Sequence, residues 1–354
     1  MKKVLVAMSG GVDSSVAAQL TKDMGYDCIG VTMRLFDNED AGLCSDKTCC
    51  SLDDSEDARL VCNKIGMKHY VLDFRGDFHR CVIDRFVNSY EVGETPNPCI
   101  DCNRYLKFES LYERGKLLGY DYIVTGHYAT IEEKDGRLLL KKSADESKDQ
   151  SYVLYNLSQE QLAHTMFPLG KMTKAETRKI AEKHSFINAE KHDSQDICFV
   201  PDGDYASAIK RFTGKEYEPG DFVDTDGNVL GKHKGIIKYT IGQRKGLGLA
   251  LPEPMYVLEK DVKNNKVVLG KNADLFKDEL DACEFNWIAY DTPPEKLKVK
   301  ARVRYSQKEQ PATVYPIGRD CIHLVFDEPQ RAITPGQAVV LYDGDVVVGG
   351  GTIK

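Results

Sequence analysis

Apolar residues are spaced along the first 130 positions in two alternating rhythms. A continuous run at 4–8 (Val4, Leu5, Val6, Ala7, Met8) fits a strand buried on both faces. A helix-like pattern follows at 14–24 and stops at Gly25, and a second apolar run occupies 28–33. The alternation returns with a helical stretch at 55–65 stopped by Gly66 and a strand at 69–73. A helical stretch at 108–118 and a strand at 121–125 complete it. Strands separated by helices of this length pair in parallel, with crossover helices covering the sheet. The pattern predicts a doubly wound α/β domain built on a parallel sheet.

Beyond about residue 200 the rhythm changes. Turn signals crowd in (Pro201-Asp202-Gly203, Pro219-Gly220, Asp226-Gly227), with short alternating segments at 255–259, 266–269 and 297–304 between and after them. Asp343-Gly344 lies between two apolar runs, a hairpin signal. The tail therefore reads as all-β and most simply as a small barrel. These shifts divide the chain into a catalytic α/β domain over 1–205, a small central domain over 206–275 and a β-barrel domain over 276–354. No internal repeat or low-complexity segment interrupts it.

Composition narrows the setting. The 354 residues are 42% hydrophobic and 29% charged, ordinary for a soluble globular protein. No apolar run approaches the roughly 20 residues that span a bilayer. Met1-Lys2-Lys3-Val4 leads straight into the first strand and leaves no room for a signal peptide, so the expectation is a cytoplasmic protein with no membrane partner. The net charge of −7 means that a polyanionic partner must be met by local basic patches. The 11 cysteines, without an export signal, read as thiols, metal ligands or catalysts rather than structural disulfides.

The densest chemistry is Ser9-Gly10-Gly11-Val12-Asp13-Ser14-Ser15, between the first strand and the first helix. A glycine-rich turn there aims free backbone N–H groups at an anion, and the serines add hydroxyl donors. No lysine follows, so the Walker pattern of kinases and GTPases is absent. Asp13 beside a nucleotide suggests a carboxylate for Mg²⁺.

The SGGVDSS string resembles the loop of the ATP-pyrophosphatase superfamily, which cleaves ATP between the α- and β-phosphates and adenylates an oxygen. Further strings narrow the resemblance: Thr95-Pro96-Asn97-Pro98-Cys99-Ile100-Asp101-Cys102-Asn103, Thr125-Gly126-His127-Tyr128, Lys148-Asp149-Gln150-Ser151-Tyr152, DSQDICF at 193–199, GQRKGLG at 242–248 and Thr334-Pro335-Gly336-Gln337. In this order, from residue 4 to the last strand, they resemble the tRNA-specific 2-thiouridylase family. That family replaces the 2-oxygen of the wobble uridine with sulfur. The resemblance implies ATP binding by Ala7, Met8, Ser9, Gly10, Gly11, Val12, Asp13 and Ser14, with Met33 and Gly126. It implies a persulfide on Cys198, loaded by a sulfur-donor protein (a cysteine desulfurase or relay), and a nucleophile at Cys102 that ends in a disulfide with Cys198. The chemistry agrees with those types: adenylation makes oxygen a leaving group, and a cysteine persulfide supplies sulfur.

Some members carry an acid where this chain has Cys99, so an acidic role is not carried over to it. Cys99 and Cys102 instead form C-x-x-C, and with Cys198 they make three thiolates that an iron–sulfur cluster could use, leaving one iron site open. Persulfide relay and cluster both stay open from the sequence. The CSDKTCC string holding Cys44, Cys49 and Cys50 lacks zinc-knuckle spacing and reads as a loop with incidental thiols.

For RNA, Lys296, Lys298, Lys300, Arg302 and Arg304 alternate with Leu297, Val299, Ala301 and Val303, a strand with one cationic face suited to a phosphate backbone. Lys232, Lys234, Lys238, Arg244 and Lys245 form a second basic run, equally readable as a solvated loop. The resemblance places tRNA contacts at Lys148, Asp149, Gln150, Arg304, Tyr305 and Gln337, and the target-base region at Asn97, Pro98 and Cys99. His127 follows Gly126 and is a further candidate for contact with RNA or substrate. A wobble base must be splayed from the anticodon stack to reach these loops. Two other classes compete with this reading. A ligase adenylating a small-molecule oxygen needs no cysteine pair, and a non-enzymatic RNA-binding module leaves the SGGVDSS loop without a purpose.

Overall fold

The computed structural model describes residues 2–37, 52–192 and 197–354; Cys44, Cys49 and Cys50 lie outside them. Strand β1 (Lys3–Ala7) sits at the centre of a five-stranded parallel sheet with β2 (Asp27–Arg34), β3 (Lys68–Asp73), β4 (Tyr122–Val124) and β7 (Thr165–Met166), in the order β3-β2-β1-β4-β7. Its apolar run works as a two-sided strand: Leu5 enters one core, while Val4 and Val6 enter the other.

One core is closed by helices α1 (Val12–Asp23) and α2 (Leu52–Lys64), through residues such as Val16, Ala17, Ala58 and Val61. The other is closed by a helical run that the sequence reading did not anticipate: α3 (Arg75–Phe78), a wide π-type turn at His79–Ile83, and α4 (Asp84–Glu91). Phe78, Val82 and Phe86 line one face of that run at four-residue spacing and are almost fully buried. The helix expected at 108–118 is longer than foreseen. It begins as α5 (Pro98–Asp101), widens into a π-type segment at Cys102–Ser110 and ends as α6 (Leu111–Leu117). Such widened turns recur at functional sites, because they re-aim side chains that a regular helix would place elsewhere.

The hairpin β5 (Thr130–Lys134) and β6 (Arg137–Lys141), the one-turn α7 (Gln159–Ala163) and helix α8 (Lys174–Lys183) complete this part of the fold. Helix α9 (Tyr205–Thr213) then leads into a four-stranded sheet of β8 (Gly220–Val223), β9 (Val229–His233), β10 (Tyr256–Asp261) and β11 (Lys266–Gly270), ordered β10-β11-β8-β9. Phe222, Val257 and Leu269 of this sheet share a core with Phe78, Phe86 and Phe199.

The last six strands are β12 (Phe276–Trp287), β13 (Leu297–Arg302), β14 (Gln310–Ile317), β15 (Cys321–Arg331), β16 (Ala338–Asp343) and β17 (Val346–Ile353). They run β12-β15-β14-β13-β16-β17, and β17 pairs back on β12, closing an antiparallel barrel with no open edge. The β5–β6 hairpin joins the same sheet where Val346 pairs with Lys141. One expectation is corrected. Cys283 and Cys321, on paired antiparallel strands with Cα atoms 4.1 Å apart, form a disulfide. The barrel register sets them opposite each other, which the absence of an export signal could not foretell.

Candidate active site

The glycine loop is held from several sides. The amide of Met8 donates to Val31 O at 2.8 Å, and Thr32 Oγ1 donates to Met8 O at 2.9 Å. Gly10 has φ +75°, and a Cβ there would lie 2.3 Å from Asp54 O, so only glycine fits. Ser14 Oγ accepts from the Ser9 amide at 3.2 Å and donates to Gly11 O at 3.0 Å. Gly11 caps α1 without a side-chain partner. The first turn of α1 thus keeps its N–H groups for an anion.

Asp13 does not stand alone. Lys174 Nζ donates to both of its carboxylate oxygens, at 2.7 and 2.8 Å, and Tyr128 OH donates to Oδ1 at 2.9 Å. The lysine missing from the loop sequence therefore arrives from the first residue of α8. That helix is fixed by a capping box in which Thr173 and Glu176 satisfy each other's amides. Lys174 is buried. Asn188 Nδ2 closes the other flank, donating to Gly10 O and Ser15 Oγ, each at 2.9 Å. The Lys174 ammonium already pairs with both Asp13 oxygens, so a Mg²⁺ here would share that carboxylate with the lysine and take its other ligands from phosphates and water.

The thiols gather elsewhere along the same face. Asn97 caps α5 by accepting from the Cys99 amide at 3.2 Å, with Pro98 in the first helical position. Cys102 follows at the start of the wide turn and is half-buried. Burial pushes its thiol up to about 11, Lys107 opposes the shift, and Cys99 and Asp101 add to it. Cys198 keeps an exposed surface, yet its dense surround pushes its thiol up as well, and the charges of Cys102 and Cys99 reinforce this. The fold therefore brings Cys198 within electrostatic reach of Cys99 and Cys102, which lie almost a hundred residues earlier in the chain. Asp193, Ser194, Gln195 and Asp196 lie outside the described residues. Among the described residues, no three His, Cys, Asp or Glu side chains are arranged to hold a metal ion.

A single stretch, residues 125–128, lies against the glycine loop and against the helical segment that begins at Cys102. Gly126 abuts the loop so closely that a Cβ would lie 2.7 Å from Asp13 C and Ser14 N. Tyr128 reaches Asp13, as above. His127 is buried between Phe108 and Phe167, with Thr125 Oγ1 2.7 Å from its Nδ1. Burial holds its pKa well below the usual value, and Lys107 adds to the effect. Lys107 thus acts electrostatically on His127, Cys102 and Cys198 alike, a role that its place in the sequence did not signal. Met33 packs half-buried at the edge of the core.

The expected tRNA residues cluster on the barrel side. Asp149 is buried, and its carboxylate accepts from the Ser143 amide at 3.2 Å and from Ser151 Oγ at 2.8 Å. It organises its loop rather than facing outward. Tyr305 is exposed and donates through its hydroxyl to Asp149 O at 3.3 Å. Gln150 Oε1 accepts from the Tyr128 amide at 3.0 Å. Lys148 is half-buried. Gln337 Nε2 donates to Thr95 O at 2.6 Å, just ahead of Asn97.

The cationic strand divides in two. Lys296, Lys298 and Lys300 are exposed, whereas Arg302 is paired with Glu309 at 3.0 Å and Arg304 donates to Ala332 O at 2.6 Å. The second basic run (Lys232, Lys234, Lys238, Arg244 and Lys245) is exposed on the central domain.

Three family profiles tile the chain. They are described as a tRNA methyl transferase HUP domain over residues 2–202, a tRNA methyl transferase PRC-barrel domain over 207–271 and an aminomethyltransferase beta-barrel domain over 277–353. A Clostridioides difficile protein named tRNA-specific 2-thiouridylase MnmA is 55% identical, covering 100% of this chain and 98% of its own. One of the same name from Acetivibrio thermocellus is 52% identical, covering 100% and 99%. A solved 4-thiouridine synthetase–RNA complex with bound ATP overlaps 60% of this chain and 50% of its own, at 13% identity and a TM-score of 0.37, too slight a likeness to carry an argument. Whole-length identity above one half, on a fold of HUP, PRC-barrel and β-barrel parts, settles the family: the chain belongs to the tRNA-specific 2-thiouridylases.

Proposed function

We propose that the chain uses ATP to replace the 2-oxygen of a tRNA wobble uridine with sulfur, releasing AMP and pyrophosphate. The observation that supports this most is the stretch 125–128, which abuts the glycine loop through Gly126 and packs His127 against Phe108, on the same wide helical segment that begins at Cys102. The names of the whole-length relatives point the same way.

In this reading, ATP lies against residues 7–14, with Met33 and Gly126 beside the adenosine. The uridine 2-oxygen attacks the α-phosphorus, the bond to the β-phosphate oxygen breaks, and pyrophosphate leaves. Sulfur comes from a donor protein as a persulfide on Cys198. The Cys102 thiolate attacks Cys198 Sγ, forming the Cys102–Cys198 disulfide and expelling hydrosulfide. Hydrosulfide adds at C2, the C2–O bond breaks, and AMP leaves. An external thiol then reduces the disulfide for the next turnover. Both cysteines are free thiols here. Asn97, Pro98 and Cys99, with His127 behind them, line the base pocket, and Lys148–Gln150, Arg304, Tyr305 and Gln337 build its rim.

The test is single-turnover chemistry with tRNA transcript, ATP and persulfide-loaded protein. Wild type forms AMP and 2-thiouridine in equal amounts, whereas Cys198→Ser adenylates once and makes no thiouridine. AMP formation that ignores tRNA but follows a small carboxylate or ureido compound would overturn the reading in favour of a ligase.

A further inference from the structure

Two lines of contact run from the turn at 145–150, which carries Lys148 and Gln150, to Asp13 in the glycine loop. In the first, Asp145 Oδ2 accepts from the backbone amide of Lys174 at 2.9 Å, and the ammonium of the same lysine holds both Asp13 oxygens. In the second, Gln150 grips the Tyr128 backbone twice: its amide donates to Tyr128 O at 2.9 Å and its Oε1 accepts from Tyr128 N at 3.0 Å. The Tyr128 hydroxyl then donates to Asp13 Oδ1. Thr177, one turn beyond Lys174 on α8, has its Oγ1 3.0 Å from that hydroxyl and ties the two lines together. Beyond the turn, Arg302 approaches Asp149 at 3.7 Å and Tyr305 donates to Asp149 O, so the barrel is attached to the same segment.

The arrangement is stiff for an energetic reason. Lys174 is only 9% exposed. Separating a buried ammonium from its carboxylate strands an unpaired charge, which is far more costly than moving the pair together. A displacement of the 145–150 turn is therefore passed to Asp13 rather than absorbed between them. Asp13 lies in the first turn of α1, beside the N–H groups that face the phosphates.

We propose that Lys174 is a positioning residue that, with Tyr128, makes ATP cleavage depend on tRNA seated against the 145–150 turn. The proposal rests on the adenylation reading above. Nucleotide and RNA then meet at one carboxylate: contact with RNA at the turn sets Asp13, and Asp13 sets the loop that holds the phosphates. ATP is spared when no acceptor is present.

AMP formation by the persulfide-loaded full chain, measured with and without tRNA transcript, tests this. Asp145→Asn weakens the first line without touching the loop or the thiols. It should leave tRNA-free AMP formation and the KM for ATP within about twofold of wild type while cutting stimulation by tRNA about tenfold, the size of one hydrogen bond to a charged group. Tyr128→Phe, which keeps the buried ring but removes a donor to Asp13, should likewise cut stimulation by tRNA. Lys174→Met should lower kcat in the presence of tRNA by about 100-fold, with Lys174→Arg restoring part of it. A merely structural lysine would instead lower the melting temperature and tRNA retention, with no selective loss of stimulation. Should Lys174→Met fail to fold, the Asp145 and Tyr128 variants decide alone. Undiminished stimulation in both overturns the proposal, as does wild-type AMP formation that is equally fast without tRNA. If wild type forms no AMP from ATP in the presence of tRNA, the adenylation reading itself falls.

Discussion

The glycine loop and the thiol neighbourhood are built on opposite principles. Around Asp13 the polar groups are matched: carboxylate with ammonium and phenol, serine hydroxyls with loop carbonyls, Asn188 with Gly10 O. Around Cys102 and Cys198, burial and neighbouring charge hold the thiols protonated, and Lys107 pulls the other way. In the proposed reading the loop's matched dipoles hold ATP without reorganising, and cleavage waits for tRNA at the 145–150 turn. A sulfur site kept protonated is quiet until something moves a cation closer or lets water in. The contrast fits an enzyme that activates first and releases sulfur second, which protects hydrosulfide from being lost before an acceptor exists.

The largest expected effect comes from removing either half. Asp13→Ala should cut AMP formation by about 100-fold or more while sparing tRNA retention on a filter. Cys102→Ser should still release the first pyrophosphate, leave the uridine adenylated and abolish thiouridine, seen by mass spectrometry of digested tRNA. If both substitutions fail at the same step, the two regions are not separable and the contrast is lost. A smaller effect concerns ionisation. With the Cys102 thiol pushed up to about 11, its thiolate fraction rises roughly tenfold per pH unit below that value. Alkylation of Cys102 should therefore still be climbing at about pH 9, where an ordinary thiol levels off; a plateau near pH 8 would show that the thiol is already activated without substrate.

The smallest effect is on stability. Burial pushes the Asp101 carboxyl up to about 6, against the opposing pull of Arg85 and Arg104. A raised acid stabilises the fold while protonated, and that contribution is lost as pH rises through about 6. Asp101→Asn should thus gain stability relative to wild type above that pH, on the order of 2 kcal/mol in denaturant titrations at pH 8. No gain would place the carboxylate in a better ion pair than the geometry suggests.

The sequence displayed some of this architecture openly and hid the rest for identifiable reasons. The run Val4–Leu5–Val6 declares a two-sided strand, and SGGVDSS declares a loop that approaches an anion. The helical face at Phe74, Phe78, Val82, Phe86 and Tyr90 was equally plain at four-residue spacing, although Gly76 interrupts its first turn. Asp135-Gly136, which turns the β5–β6 hairpin with both residues at positive φ, was a visible signal too. Lys174 was not legible. Thr173 and Glu176 announce a helix start, but nothing local says that its first residue reaches Asp13. The burial of Asp149 was not legible either, since nothing local names its inward partners Ser143 and Ser151. The Cys283–Cys321 bond depends on strand register, which no spacing along the chain encodes.

The β5–β6 hairpin has a consequence for biosynthesis. Its strands emerge from the ribosome near the middle of translation, but its partner, β17, is the last strand of the barrel to be made. Until then the nascent chain exposes an unpaired strand edge, a template for mispairing with other chains. Lys134, Arg137 and Lys141 on that hairpin supply the charge that keeps such an edge from finding the wrong neighbour while it waits.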